Sequence, residues 1–156
     1  SGSSSLVWAG FGAGPRFYNA GTASFATDFS FSSCNVTNVS TWTLVAGTQS
    51  FASCTLGQSA GSFSLGGARV TGSGTTAEFT GGLLAGNGEF GLPFVNKGAT
   101  VSPGASPGVL QFPSFTMASG VLDVELGRGI PGTNSDLIRV TGAAAVGGTL
   151  RLNGSM

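Results

Sequence analysis

The stretch Ser24–Phe31, SFATDFSF, decides how the chain is read. Phe25, Thr27, Phe29 and Phe31 fall on one side of an extended chain, with Ala26, Asp28 and Ser30 on the other, and this alternation is that of a half-buried strand. Working outward, Trp42 and Leu44 in STWTLV and Phe63 and Leu65 in GSFSLGG repeat it. So do Leu122, Val124 and Leu126 in VLDVELG, where Asp123 and Glu125 point to solvent. Near the end Ile138 with Val140, then Leu150 with Leu152, leave Arg139 and Arg151 outside. The 28 glycines, spread from Gly2 to Gly154, cut the chain into pieces too short for helices of the usual length, about 11 residues. The expected fold class is all-β.

Strand-sized pieces recur near Phe25, Trp42, Phe51, Phe63, Phe79, Phe90, Val109, Val121, Ile138 and Leu150, with no helix between them to make βαβ crossovers. An antiparallel β-sandwich would join such strands by hairpins, whereas a parallel β-solenoid would stack them coil on coil. Short Gly-rich corners favour the solenoid, and the sandwich stands as the alternative. A single solenoid domain over residues 1–156 is expected, as a segment of a longer or assembled rod. Cys34 and Cys54 are 20 residues apart, one coil of about 20 residues, so they should lie side by side. They lack a CxxC or CxxH partner for zinc. A disulfide and a pair of buried free thiols are both open readings.

Hydrophobic residues make up 40% of the chain and charged ones 8%, so the surface has to be finished with Ser, Thr, Asn and Gly, which is unusual for a cytosolic protein. The 6 basic and 6 acidic groups cancel and form no cluster, which removes the electrostatic footprint that nucleic acid or an anionic membrane requires. No apolar run approaches the roughly 20 residues of a membrane helix. No basic segment followed by an apolar core opens the chain at Ser1, so a signal peptide is not expected within it.

From Val95 three runs follow in order: VNKGATVSPGASPGVLQF (Val95–Phe112), SGVLDVELG (Ser119–Gly127) and DLIRVTGAAAVGGTLRL (Asp136–Leu152). Together they resemble the end of a bacterial autotransporter passenger, with two Ser-Pro-Gly corners (Ser102–Gly104 and Ser106–Gly108) and a Gly-Gly-Thr-Leu close in sequence. The resemblance implies a right-handed parallel β-helix exported to the cell surface, without catalytic residues in this region. Proline fixes φ and supplies no donor, so it suits such corners. The preceding part departs from the pattern in its many Phe, its two cysteines and the lack of coils that can be aligned.

Several motifs point to chemistry but lack its partners. GQSAG (Gly57–Gly61) and GASPG (Gly104–Gly108) match a nucleophile elbow, yet the chain has no histidine to serve either serine as base. GNGEFG (Gly86–Gly91) fits a dinucleotide fingerprint, but Leu92-Pro93-Phe94 follows where a helix is required. Asp123 and Glu125 would share a strand face at roughly 7 Å, the one close acid pair, with only Arg128 as a basic neighbour in sequence. Asn35, Asn38 and Asn153 open glycosylation sequons.

The expectation is a non-enzymatic structural or surface protein, extracellular or displayed on the cell surface after export: a β-helical passenger or adhesin-like stalk. The alternatives are a self-assembling subunit of an extracellular fibre and, further off, a carbohydrate-active β-helix enzyme using Asp123 and Glu125. No catalytic, cofactor-binding or metal-binding residue is assigned. Expected partners are copies of the chain itself, end to end, and a host or matrix glycan or protein. No nucleic acid and no membrane insertion are expected. Neither end of the sequence offers a charged or helical cap to stop such stacking.

Overall fold

A computed structural model describes residues 6–9, 14–104, 107–127 and 134–154. Every described element is a strand. The chain opens with β1 (Leu6–Ala9) and then winds through β2 (Arg16–Asn19), β3 (Thr22–Phe25) and β4 (Phe29–Ser32). A second circuit follows in β5 (Asn35–Asn38), β6 (Thr41–Leu44) and β7 (Thr48–Ala52), and a third in β8 (Thr55–Gln58) and the long β9 (Ser62–Ser73). Then come β10 (Thr76–Phe79), β11 (Leu83–Phe90), β12 (Phe94–Pro103), β13 (Val109–Phe112), β14 (Phe115–Leu126), β15 (Leu137–Val140), β16 (Ala144–Val146) and β17 (Thr149–Gly154).

Strands of successive circuits pair in parallel, forming a three-faced β-solenoid. One inward column runs Phe17, Val36, Leu56, Ala77, Phe94, Phe115, Ala144. Its steps are 19, 20, 21, 17, 21 and 29 residues, read from those partners. A second column runs Ala23, Trp42, Phe63, Leu84, Val101, Leu122, Leu150. The sandwich alternative is thereby excluded, since among the described residues only β1 on β2 is antiparallel.

The aromatic side chains fill this prism continuously. Trp42 is stacked between Phe25 and Phe63, with centroids 5.2 and 5.6 Å away, and the contacts pass on through Phe79, Phe90, Phe94 and Phe112 to Phe115. Aromatic pairs at such spacings add about 0.5–1.5 kcal/mol each beyond the area they bury. Long strands turn the prism's corners at glycine. Gly86 has φ +107° and a Cβ there would overlap the Leu65 carbonyl oxygen of the coil below, so the coils can stack closely only without a side chain at that point.

The structure differs from the sequence reading in three places. SFATDFSF is not one strand: β3 ends at Phe25 and β4 starts at Phe29, with a corner between. Phe29 keeps the inward parity of Phe31, yet it is 45% exposed because it lies at the open end of the first coil. The region before Val95, expected to lack alignable coils, is built of stacked coils with steps of 19, 20, 21 and 17 residues, whereas the later region carries the 29-residue one. Finally, the N-terminal end is partly capped: β1 runs antiparallel along β2, Leu6 opposite Asn19 through to Ala9 opposite Arg16. It satisfies that strand's outer edge and interrupts the parallel ladder there.

Candidate functional site

Three places in the solenoid hold polar or reactive groups in an ordered way. The first is internal. Asn19, Asn38 and Gln58 end β2, β5 and β8 at one corner, facing inward and buried. Asn19 Nδ2 donates to Asn38 Oδ1 at 2.8 Å, and Asn38 Nδ2 donates to Gln58 Oε1 at 2.8 Å. Gln58 Nε2 then donates to the Leu83 carbonyl at 3.0 Å. The ladder satisfies amides that would otherwise be costly to bury and fixes the register of three coils. Phe79 occupies the next position. The ladder was legible as polar residues at steps of 19 and 20 in the sequence, a signal the strand pattern alone overlooks. It also removes Asn38 as a glycan acceptor in the folded protein, because its amide is fully buried and engaged. Asn35 lies on the outer face, where Thr55 Oγ1 donates to its Oδ1 at 2.6 Å, and Asn153 is exposed beside Asp123.

The second place is the thiol pair. Ser33 and Ser53 have φ of 52° and 53°, so two consecutive corners turn identically and present Cys34 and Cys54 in the same orientation. Their Sγ atoms are 3.5 Å apart and both are free thiols. Thr75 continues the column, its Oγ1 accepting from the Cys54 N–H at 3.0 Å. Burial, with the neighbouring Cys54 thiol second, pushes the Cys34 thiol up to about 11.

The third is an outer groove along the face of β2, β5, β8 and β10. Arg16, Tyr18, Asn35, Thr37 and Thr55 line one part of it, Thr76 and Glu78 the next. Gly57 leaves the floor open, since no atom comes closer than 3.9 Å to the position a Cβ would take. Tyr18 is 44% exposed. The groove thus offers an aromatic ring beside hydroxyl, amide and guanidinium groups.

The motifs read from sequence are absorbed by the fold. Ser59 of GQSAG sits at the corner after β8, and Gly61 there (φ +70°) is required because a Cβ would overlap the Ser40 carbonyl oxygen. All of GNGEFG but its last glycine lies in β11, and its first two glycines serve the bend. In GASPG, residues 105 and 106 and the role read for Ser106 lie outside the described residues, but Gly104 and Gly108 are packed against each other too closely for any Cβ. Asp123 has a basic neighbour that sequence proximity did not reveal. Register places Arg151 over it, with Nη1 to Oδ2 at 3.4 Å. Arg128 lies outside the described residues. Two further ion pairs cross coils, Arg69 to Glu89 at 2.9 Å and Lys97 to Glu78 at 2.8 Å. Among the described residues no three His, Cys, Asp or Glu converge on a point that could hold a metal ion.

Asp136 is the buried carboxylate. Its Oδ1 accepts from the Gly108 N–H and its Oδ2 from the Glu125 N–H, both at 2.8 Å. It closes the long excursion between β14 and β15, with Ser135 Oγ bonded to both the N–H and the carbonyl of Gly127. No family model, curated protein or solved structure matches the chain.

Proposed function

We propose that this protein is a non-enzymatic structural rod of the extracellular space or cell surface, a β-helical passenger or adhesin-like stalk exported from the cell. The carrying observation is the unbroken apolar column from Phe17 to Met117. It is sheathed by short polar side chains and by ion pairs that tie one coil to the next. Such a column resists bending and projects whatever its outer faces present. The resemblance of Val95–Leu152 to autotransporter passengers supports export. The groove around Tyr18 supports adhesion, because an exposed ring beside Arg16, Asn35 and Thr37 has the chemistry to hold a glycan.

A second reading, a fibre subunit, would join copies through apolar side chains such as those of Leu126, Val146, Leu150 and Leu152, which are 44–65% exposed. β1 weighs against unlimited head-to-tail growth, since it covers the edge of β2 that a preceding copy would use. A third reading, a carbohydrate-active enzyme using Asp123 and Glu125, would have to draw on an Asp123 carboxylate already bonded to Arg151 and Asn153. Negative-stain electron microscopy separates the readings. Short isolated rods are expected, and long uniform fibres would transfer the protein to the subunit class.

A further inference from the structure

We propose that Cys34 and Cys54 are a disulfide-forming pair, closed by exchange with a small-molecule disulfide such as oxidised glutathione, and that the bond staples the second coil to the third. The inference needs only the fold, whatever role the rod has.

Geometry carries it. The paired residues Asn35 and Thr55 follow the two cysteines in register, and the Thr55 N–H donates to the Cys34 carbonyl at 3.1 Å. Rungs joined in this way stand about 4.8 Å apart, inside the Cα separation of about 4.4–6.8 Å that a disulfide spans. The matching φ values at Ser33 and Ser53 aim both side chains the same way, and the sulfurs already touch at 3.5 Å.

Access is also provided. The thiols form the floor of a shallow groove of about 350 Å³ whose walls are Gly14, Ser33, Asn35, Ser53, Thr55 and Gly74. Glycine at both ends keeps the groove open, and the wall residues bring no other titratable group. One thiol loses its proton to solvent, and the thiolate attacks one sulfur of oxidised glutathione, expelling a glutathione thiolate and leaving a mixed disulfide. The second thiol, once deprotonated, attacks the protein sulfur of that mixed disulfide. A second glutathione thiolate departs, so two protein thiols are oxidised, one glutathione disulfide is reduced, and both protons reach solvent.

The reaction has a characteristic pH dependence. With the Cys34 thiol pushed up to about 11, the attacking thiolate is scarce at neutral pH. Closure should quicken by roughly tenfold per pH unit between about pH 7 and 9.

The test treats the reduced, folded chain with excess oxidised glutathione and follows it by intact mass and non-reducing peptide mapping. The expected product has lost two hydrogens, joins the Cys34 and Cys54 peptides, and melts about 5 °C or more above the reduced form. Cys34→Ser should stop as a single mixed disulfide on Cys54. In the wild type, the ratio of closed product to mixed disulfide should be at least tenfold higher in buffer than in strong denaturant. The proposal is overturned if the native chain ends with two alkylatable thiols, with two stable mixed disulfides, with a bond between two chains, or with the same ratio in denaturant.

Discussion

The coils from Arg16 to Thr75 and the last two coils, from Phe115 onward, share one pleat and one set of faces, yet they stabilise it differently. In the first, two circuits of three strands and one of two turn at tight corners, rings are in contact from Phe17 through Trp42 to Phe63, and an amide ladder locks one corner. In the last two, β14 and β17 pair over six residues, but Leu150 and Leu152, in register with Leu122 and Val124, are 56% and 55% exposed. Inward parity alone does not bury a side chain. Burial requires cover on both sides: Trp42 has it as rungs, Ala23 and Phe63, whereas Phe31, paired on one side only, is covered by the rings of Phe17 and Phe51.

That contrast can be broken most severely at a corner. Gly86→Val should abolish the cooperative unfolding transition, because its Cβ would overlap the Leu65 carbonyl oxygen at φ +107°. Gly67→Ala, at φ +86° but with open space around it, should cost only about 1–2 kcal/mol of backbone strain. Circular dichroism melts of the two variants measure the difference, and equal effects would show that close coil stacking does not set the requirement.

Next in size, Phe63→Ala should cost about 3–5 kcal/mol, since its ring is fully buried against Trp42, Phe79 and Phe90. Leu150→Ala should cost less than about 1 kcal/mol, given its exposure. Denaturant titration of both variants tests whether stability is concentrated toward the stacked rings.

Asn38→Leu should cost about 2–4 kcal/mol, because it leaves one Asn19 amide hydrogen, the other still bonded to the Thr41 carbonyl, and the Gln58 carbonyl without partners in the core. Adding Asn19→Leu and Gln58→Leu should recover part of that loss, and a triple variant weaker than the single one would count against the ladder account. The smallest effect should come from Ser53→Gly, which relieves a non-glycine residue at φ 53°. A gain of up to about 1 kcal/mol is expected, read as a raised melting temperature.

The sequence by itself determined the all-β class, the inward parity of Trp42, Leu44, Phe63 and Leu65, and the one-coil spacing of Cys34 and Cys54, because these depend on local alternation and on chain distance. It misread SFATDFSF, since a corner can keep the alternation while bending the chain. Only the tertiary structure decided which residues face one another across coils. Arg151 meets Asp123 from 28 residues away, Asp136 reaches back to Gly108 across the same span, and Asn38 turns from a surface sequon into a buried rung. The physical reason is that parallel stacking is set by register, and register accumulates every insertion along the chain. A step of 17 or 29 residues moves all later neighbours, although no local pattern in the sequence announces it.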